Sequence, residues 1–385
     1  MEVNKDLIPQ KNFIFLKFLK RKVGLILILI FVISVITVFL FFEKNTISLN
    51  NVYSKISSNQ KSFRILNQEN EKKINGKKKI LFIGSTGCDL MLNFAKMPKT
   101  GETVLGNKIT KKIGGKGISQ AIAAARLGAE VGFLGAKGDD ACGENTIEYL
   151  EKNNIKHYLK VVPKMNTQIT YFMVDDDGQY INAIFPGANK YVDEQQIDEN
   201  EKIIDEYDII VLQLEIPLDT VGYIIDIAYK KNKIIILNLS PVQYISKNIL
   251  KKCNYIILDK KELSSITGMA RDDEKQIELA SQKIFELGIQ NLIVILGEDG
   301  TFLYNKDNKR FFNVFQVYVK GKTRGVKREN DCYVGAFANY LSMDYSLIGV
   351  IINTNFAYRF YAIGEDSFPT QERMDDFVQR MSFYT

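Results

Sequence analysis

The chain has 385 residues, 46% hydrophobic, 25% charged and 11% aromatic, with no Trp and one His. That composition excludes collagen-like, disulfide-scaffold and wholly disordered chains, and the lone His157 excludes multi-histidine metal sites. The net charge of +6 is uneven: residues 1–79 carry 15 basic and 5 acidic residues, and residues 80–385 carry 36 and 40. The basic excess therefore sits in the N-terminal tail, and nucleic-acid binding by the main domain has no electrostatic support.

Residues 1–22 form a basic tail. Val23 to Phe42 then runs for twenty residues without a charge, Ser34 and Thr37 being the only polar side chains. As a helix rising about 1.5 Å per residue it would cover the ~30 Å hydrocarbon core. We read 23–42 as a membrane anchor, with a cleaved or organelle-targeting leader as the alternative. Lys17, Lys20, Arg21 and Lys22 would keep the preceding end cytosolic, although Lys55, Lys61 and Arg64 on the far side weaken that bias. Residues 43–78 are rich in Asn, Ser and Lys and lack periodicity, as a linker does. The globular domain is expected over 79–385.

Within it, apolar runs at Ile80–Ile83, Val131–Leu134, Ile209–Leu212, Ile234–Leu237, Tyr255–Leu258 and Leu292–Leu296 predict strands buried on both faces. Helical periods lie between them, including Gly117–Leu127 and Lys275–Leu287, each followed by a glycine. This order predicts a doubly wound α/β fold with a mostly parallel sheet and helices on both faces. Leu90–Ile113 and Gln168–Ile184 alternate instead, and predict a small antiparallel flap. The four cysteines (Cys88, Cys142, Cys253, Cys332) have no C-x-x-C spacing and read as scattered core residues in a reducing setting.

No G-x-x-x-x-G-K-[ST] and no G-x-G-x-x-G follows the first strand, which disfavours P-loop and dinucleotide sites. Gly114-Gly115-Lys116-Gly117 opens an Ala-rich helix; such glycines either let backbone N–H groups approach a ligand or make a tight turn, and the residues alone leave both open. In the longer block GGKGISQAIAAARLGAEVGFLGAKGDDACGE the signal sharpens. It resembles the N-terminal signature of ribokinase and the wider PfkB-type carbohydrate kinases. IGSTGCDLMLNFAKMPKTGETVLG, FPGANKYV, VLQLEIPLDTV, ILNLSPV, YIILDKKELSSITG and IVILGEDGTFLYN extend the likeness, in family order, over nearly all of 80–385.

The resemblance implies a ribokinase-like fold with a β lid (about 90–113 and 168–184) and transfer of the γ-phosphoryl of ATP, with Mg²⁺, to a sugar hydroxyl. D-ribose is the first expected acceptor, and a nucleoside or another sugar the alternative. Asp331 stands where the family has its catalytic base, although any Asp opening a helix also suits an N-cap. Asp89, Gly114, Gly115, Lys116 and Glu215 match sugar-contacting positions, and Ser119 and Gly87 replace two asparagines. Asp259, Gly297, Gly300, Asn330 and Asn355 fall at nucleotide-side positions, and Glu262 at the position that orders the metal through water. Arg328-Glu329-Asn330 replaces the family's Gly-Ala-Gly before the base, which raises the reading of a membrane-tethered, catalytically impaired binding protein. The Asp and Thr of the family's monovalent-cation loop are missing, which leaves that cation doubtful. The lid edge is where the family would pair into a homodimer.

Overall fold

The computed structural model describes residues 77–312, 328–363 and 367–382. The tail, the apolar run 23–42 and nearly all of the linker lie outside the described residues, as do Val326 and Lys327. Among the described residues no helix is long and apolar enough to cross a membrane.

Among the described residues, thirteen strands form two sheets. They are β1 (Ile80–Ile83), β2 (Gly87–Phe94), β3 (Lys108–Gly114), β4 (Val131–Gly138), β5 (Lys156–Val162), β6 (Gln168–Asp175), β7 (Tyr180–Phe185), β8 (Ile209–Leu212), β9 (Ile234–Asn238), β10 (Tyr255–Asp259), β11 (Asn291–Ile295), β12 (Thr301–Asn305) and β13 (Lys309–Phe312). The large sheet runs β13-β12-β11-β10-β9-β8-β1-β4-β5 and is parallel except for the antiparallel pairings β11–β12 and β12–β13 at one edge. The longer helices are α1 (Lys116–Arg126), α2 (Ala141–Lys152), α3 (Leu218–Lys230), α4 (Lys260–Thr267), α5 (Glu274–Phe285), α6 (Glu329–Ser342), α7 (Leu347–Ala362) and α8 (Gln371–Ser382).

The continuous apolar strands are explained by two cores, one on each face. Ile80 and Phe82 of β1 enter one core, and Leu81 and Ile83 enter the other. In β10, Ile257 faces the first core, with Ile256 and Leu258 in the second; β8, β9 and β11 alternate likewise. Burying each such side chain contributes roughly 1.5–3 kcal/mol before conformational entropy is counted. Helices α1, α6 and α7 cover the first face, and α3 and α5 the second. Almost every residue of α6 is buried, so it needs apolar or small residues all round. Gly335 is the tightest point: a Cβ there would lie 2.3 Å from the Gln120 carbonyl oxygen and 2.7 Å from Ala123 Cβ of α1.

The predicted flap is a four-stranded sheet, β3-β2-β6-β7. It is mixed where an antiparallel flap was expected: β2–β3 and β6–β7 pair antiparallel, but β2 and β6 run parallel from Gly87↔Gln168 to Phe94↔Asp175. The reason is topological, because β2 and β6 both leave the main sheet in the same direction after β1 and β5. The cysteine reading is also corrected. Cys88 at the root of β2 and Cys142 in the first turn of α2 form a disulfide, whereas Cys253 and Cys332 are free and buried. The two partners lie 54 residues apart, and only the fold brings them together.

Replacing Gly335 with Ala is expected to force α1 and α6 apart and to destabilise the chain by about 1–3 kcal/mol, read as a lower midpoint in urea or thermal unfolding.

Candidate active site

The carboxyl ends of the central strands gather polar residues: Ser85 and Thr86 after β1, Gln213 and Glu215 after β8, Asn238 ending β9 and Asp259 ending β10. In open α/β sheets this rim, near the strand where the order reverses, is where ligands bind. Here β1 is that strand, with β4 on one side and β8 on the other.

The glycine turn before α1 presses that helix onto the β1 loop. Gly115 has φ +95°, and a Cβ on Gly117 would lie 2.7 Å from the Ser85 nitrogen. The close approach lets the Ile118 N–H donate to the Ser85 carbonyl at 3.0 Å. Ser85 Oγ donates to Glu215 Oε2 at 2.5 Å, and the Lys116 backbone N–H donates to the same oxygen at 2.9 Å. Glu215 is thereby fixed at the mouth of α1.

Asp331 lies in the first turn of α6 and is buried. Its Oδ1 accepts from Gln120 Nε2 at 3.0 Å. The same amide nitrogen donates to Asn238 Oδ1 at 3.1 Å, and Gln120 Oε1 accepts from Gln213 Nε2 at 3.0 Å. This chain of amides sets the carboxylate's rotation. Burial pushes the Asp331 carboxyl above its usual range, against the opposing pull of the Lys116 ammonium and the Gln120 hydrogen bond. Burial also opposes the charge on Lys116, but Asp331, Glu215, Glu262 and Asp259 outweigh it, so the ammonium titrates above its ordinary value. Lys116 is thus a cation ringed by carboxylates.

Arg328, for which the sequence offered no direction, points into the same crevice. Its Nη2 forms an ion pair with Asp89, and its Nη1 donates to the Ile113 carbonyl at 2.6 Å and to Ser119 Oγ at 3.2 Å. Burial works against its charge, but Asp89 more than compensates. Asp89, Ser119 and the end of β3 are therefore brought together, with a guanidinium seated among them. Gly114 completes that corner: a Cβ there would lie 2.1 Å from Asp89 Oδ1.

The remaining residues line the strand ends towards β11. Asp259 and Glu262 form a capping box at the start of α4: Asp259 Oδ1 accepts from the Lys261 and Glu262 N–H groups, and Glu262 Oε2 accepts from the Asp259 N–H at 2.7 Å. Asn330 Nδ2 donates to Asp259 Oδ2 at 3.1 Å, joining α6 to this pair. Burial and the charge of Asp259 together raise the Glu262 carboxyl above its usual range. Two close carboxylates of this kind are the hard oxygen donors that a divalent cation takes. Gly297 and Gly300 bracket a short turn with φ +71° and +102°. Asn355 is buried in α7, where its Oδ1 accepts from Thr301 Oγ1 at 2.7 Å and its Nδ2 donates to the Phe312 carbonyl at 3.4 Å. Its amide is thus engaged within the protein, beneath that end of the sheet.

Sequence reasoning missed Ser85, Gln120, Gln213 and Asn238. Gln120 left one trace, a long polar side chain in the otherwise small or apolar run from Gly117 to Ala125.

Comparison with known proteins agrees with this geometry. The profile of the pfkB family carbohydrate kinases matches residues 77–348. A deoxyribokinase from Salmonella typhi is 32% identical over 263 residues, 68% of this chain and 85% of that protein. A ribokinase from Haemophilus influenzae is 28% identical over 269 residues, 70% and 88% of the two chains. Among solved structures, a ribokinase from Thermotoga maritima is 30% identical with a TM-score of 0.69, covering 78% of this chain and 99% of its own. An Arabidopsis thaliana ribokinase complexed with ribose and ATP has a TM-score of 0.72 at 24% identity, covering 79% and 99%.

Carboxyl titration by ¹³C NMR is expected to place Asp331 above the ordinary aspartate value of ~3.9. Lys116→Met, which removes the cation that pulls this carboxyl down most, should move it higher still; a downward shift would contradict the electrostatics described.

Proposed function

We propose that this chain, which belongs to the pfkB family of carbohydrate kinases, transfers the γ-phosphoryl of ATP to a hydroxyl of a pentose, with D-ribose as the first acceptor to test. The relatives named ribokinase and deoxyribokinase support a pentose and leave the choice between the two open. The observation that carries the reading is Asp331, held in the first turn of α6 by Gln120 at the carboxyl ends of the strands.

Phosphoryl transfer asks little covalent chemistry of a protein; it needs positioning, charge neutralisation and a proton acceptor. Gln120 occupies Asp331 Oδ1, which leaves Oδ2 to take the acceptor hydroxyl's proton. A carboxyl whose pKa is raised by burial is the stronger base for that task. The N-terminus of α6 directs backbone N–H groups towards the charge that develops on the transferring group. Lys116 offsets part of the negative charge that Asp331, Glu215, Glu262 and Asp259 bring to the site. Asp259 and Glu262 are the residues that would hold Mg²⁺, which when bound withdraws charge from the phosphates.

Closure of the lid over the acceptor, with Gly114-Gly115 at its base, would exclude the water that otherwise hydrolyses ATP. The exposed apolar side chains of the edge strand β7, Tyr180, Ile181, Ile184 and Phe185, support pairing of two lids in a homodimer. The uncharged run 23–42 supports a membrane-anchored or organelle-targeted form.

Full-length protein assayed for ADP release with D-ribose, 2-deoxy-D-ribose and nucleosides should turn over at least one of them. Asp331→Asn should lower kcat by about 10²–10⁴ while leaving ATP binding intact; undiminished turnover in that variant would overturn the assignment of the base.

A further inference from the structure

Arg328 does more than replace a glycine. A cavity of about 250 Å³ opens beside its ion pair with Asp89. Asp89 and Lys112 face each other directly across β2 and β3, so both side chains project from the same face of the lid sheet into this space. The charged groups of the cavity are thus one carboxylate and two cations, and Asp89 is already committed to Arg328. Tyr149, Tyr361 and Phe368 supply much of the remaining wall, a low-dielectric lining in which an uncompensated charge is felt strongly.

A neutral sugar gains little in such a corner. Arg328 holds Asp89 Oδ2, so a sugar hydroxyl has only Oδ1 to bond unless it gives up a charge-assisted pair for a hydrogen bond about half as strong. An anion does not face that exchange. It can approach the guanidinium donors that Asp89, Ile113 and Ser119 do not take, and the Lys112 ammonium, while Asp89 stays paired.

We propose that Arg328 is a specificity-determining residue and that the acceptor it selects carries an anionic group, a carboxylate or a phosphate, seated between Arg328 and Lys112. This rests on the phosphoryl-transfer reading above and names the acceptor class of the same site. Arg328 and Asp331 lie three positions apart at the start of one helix, so an acceptor anchored by its anion at the first would present a hydroxyl towards the second.

The test compares kcat and KM of the full chain for neutral pentoses (D-ribose, 2-deoxy-D-ribose), sugar acids (D-ribonate, D-gluconate) and sugar phosphates (D-ribose 1-phosphate, D-fructose 6-phosphate). One anionic arm should exceed the neutral sugars in kcat/KM by at least about 10-fold, and which arm does so identifies the group. Arg328→Ala should raise KM for that acceptor by about 100-fold with a much smaller change in kcat, and Arg328→Lys should recover part of the loss. Lys112 is exposed, so Lys112→Gln leaves packing alone and should raise the same KM a few-fold; it keeps the proposal testable if Arg328→Ala does not fold. Preference for neutral sugars, unchanged in Lys112→Gln and Arg328→Ala, would overturn this proposal and leave the kinase reading standing. Failure to turn over any acceptor or to bind ATP would overturn both.

Discussion

The whole site depends on how closely α1 can lie against α6. The contact is made where Gly335 meets the Gln120 carbonyl, with no room for a methyl group. From that point the two helices run to the same rim of the sheet, and each brings its first turn to the strand ends. Gln120 and Asp331 hydrogen-bond because of it. The amide relay to Gln213 and Asn238 then ties both helices to β8 and β9. The backbone spacing lets these side chains reach one another, although Gln213 Oε1 is left buried without a partner among the described residues.

Charge is arranged around that contact in two separate groups. Lys116 sits among Asp331, Glu215, Glu262 and Asp259, where a single cation serves several carboxylates. Arg328 sits with Asp89 at the lid corner. The two groups meet at the entrance of α6, where the charges of Lys116 and Arg328 both act on the Asp331 carboxyl. The replacement of small residues by Arg328-Glu329-Asn330 therefore reshapes the entrance without emptying it: Asn330 bonds to Asp259, and Arg328 fills the corner by Asp89.

Much of the frame was legible in the chain because its signals are local. Strands β1 and β8 run over the same residues as the apolar runs that predicted them, since burial on both faces leaves no alternation to misread. Asp331, Asp89, Lys116 and Glu215 were legible through a family pattern spread along most of the domain. What escaped was whatever depends on contact between distant segments. The parallel pairing of β2 with β6, the bond between Cys88 and Cys142 and the direction of Arg328 have no signature within a short window. Gln120 escaped for another reason, because a single amide in an Ala-rich helix has no periodicity of its own.

The disulfide has a mechanical consequence when taken together with its surroundings. Cys142 stands in the first turn of α2, and Asp140, which caps that turn, accepts hydrogen bonds from the Thr167 N–H at 2.9 Å and the Thr167 hydroxyl at 2.6 Å, just before β6 begins. Two of the lid's four strands, β2 and β6, are thus clamped at their roots to one helical turn, the first covalently. The root of β3, where Gly114-Gly115 leads into α1, is held instead by Arg328 Nη1 at the Ile113 carbonyl. The lid is accordingly footed on two helices, with β2 and β6 tied to the first turn of α2 and β3 tied to the residue that opens α6.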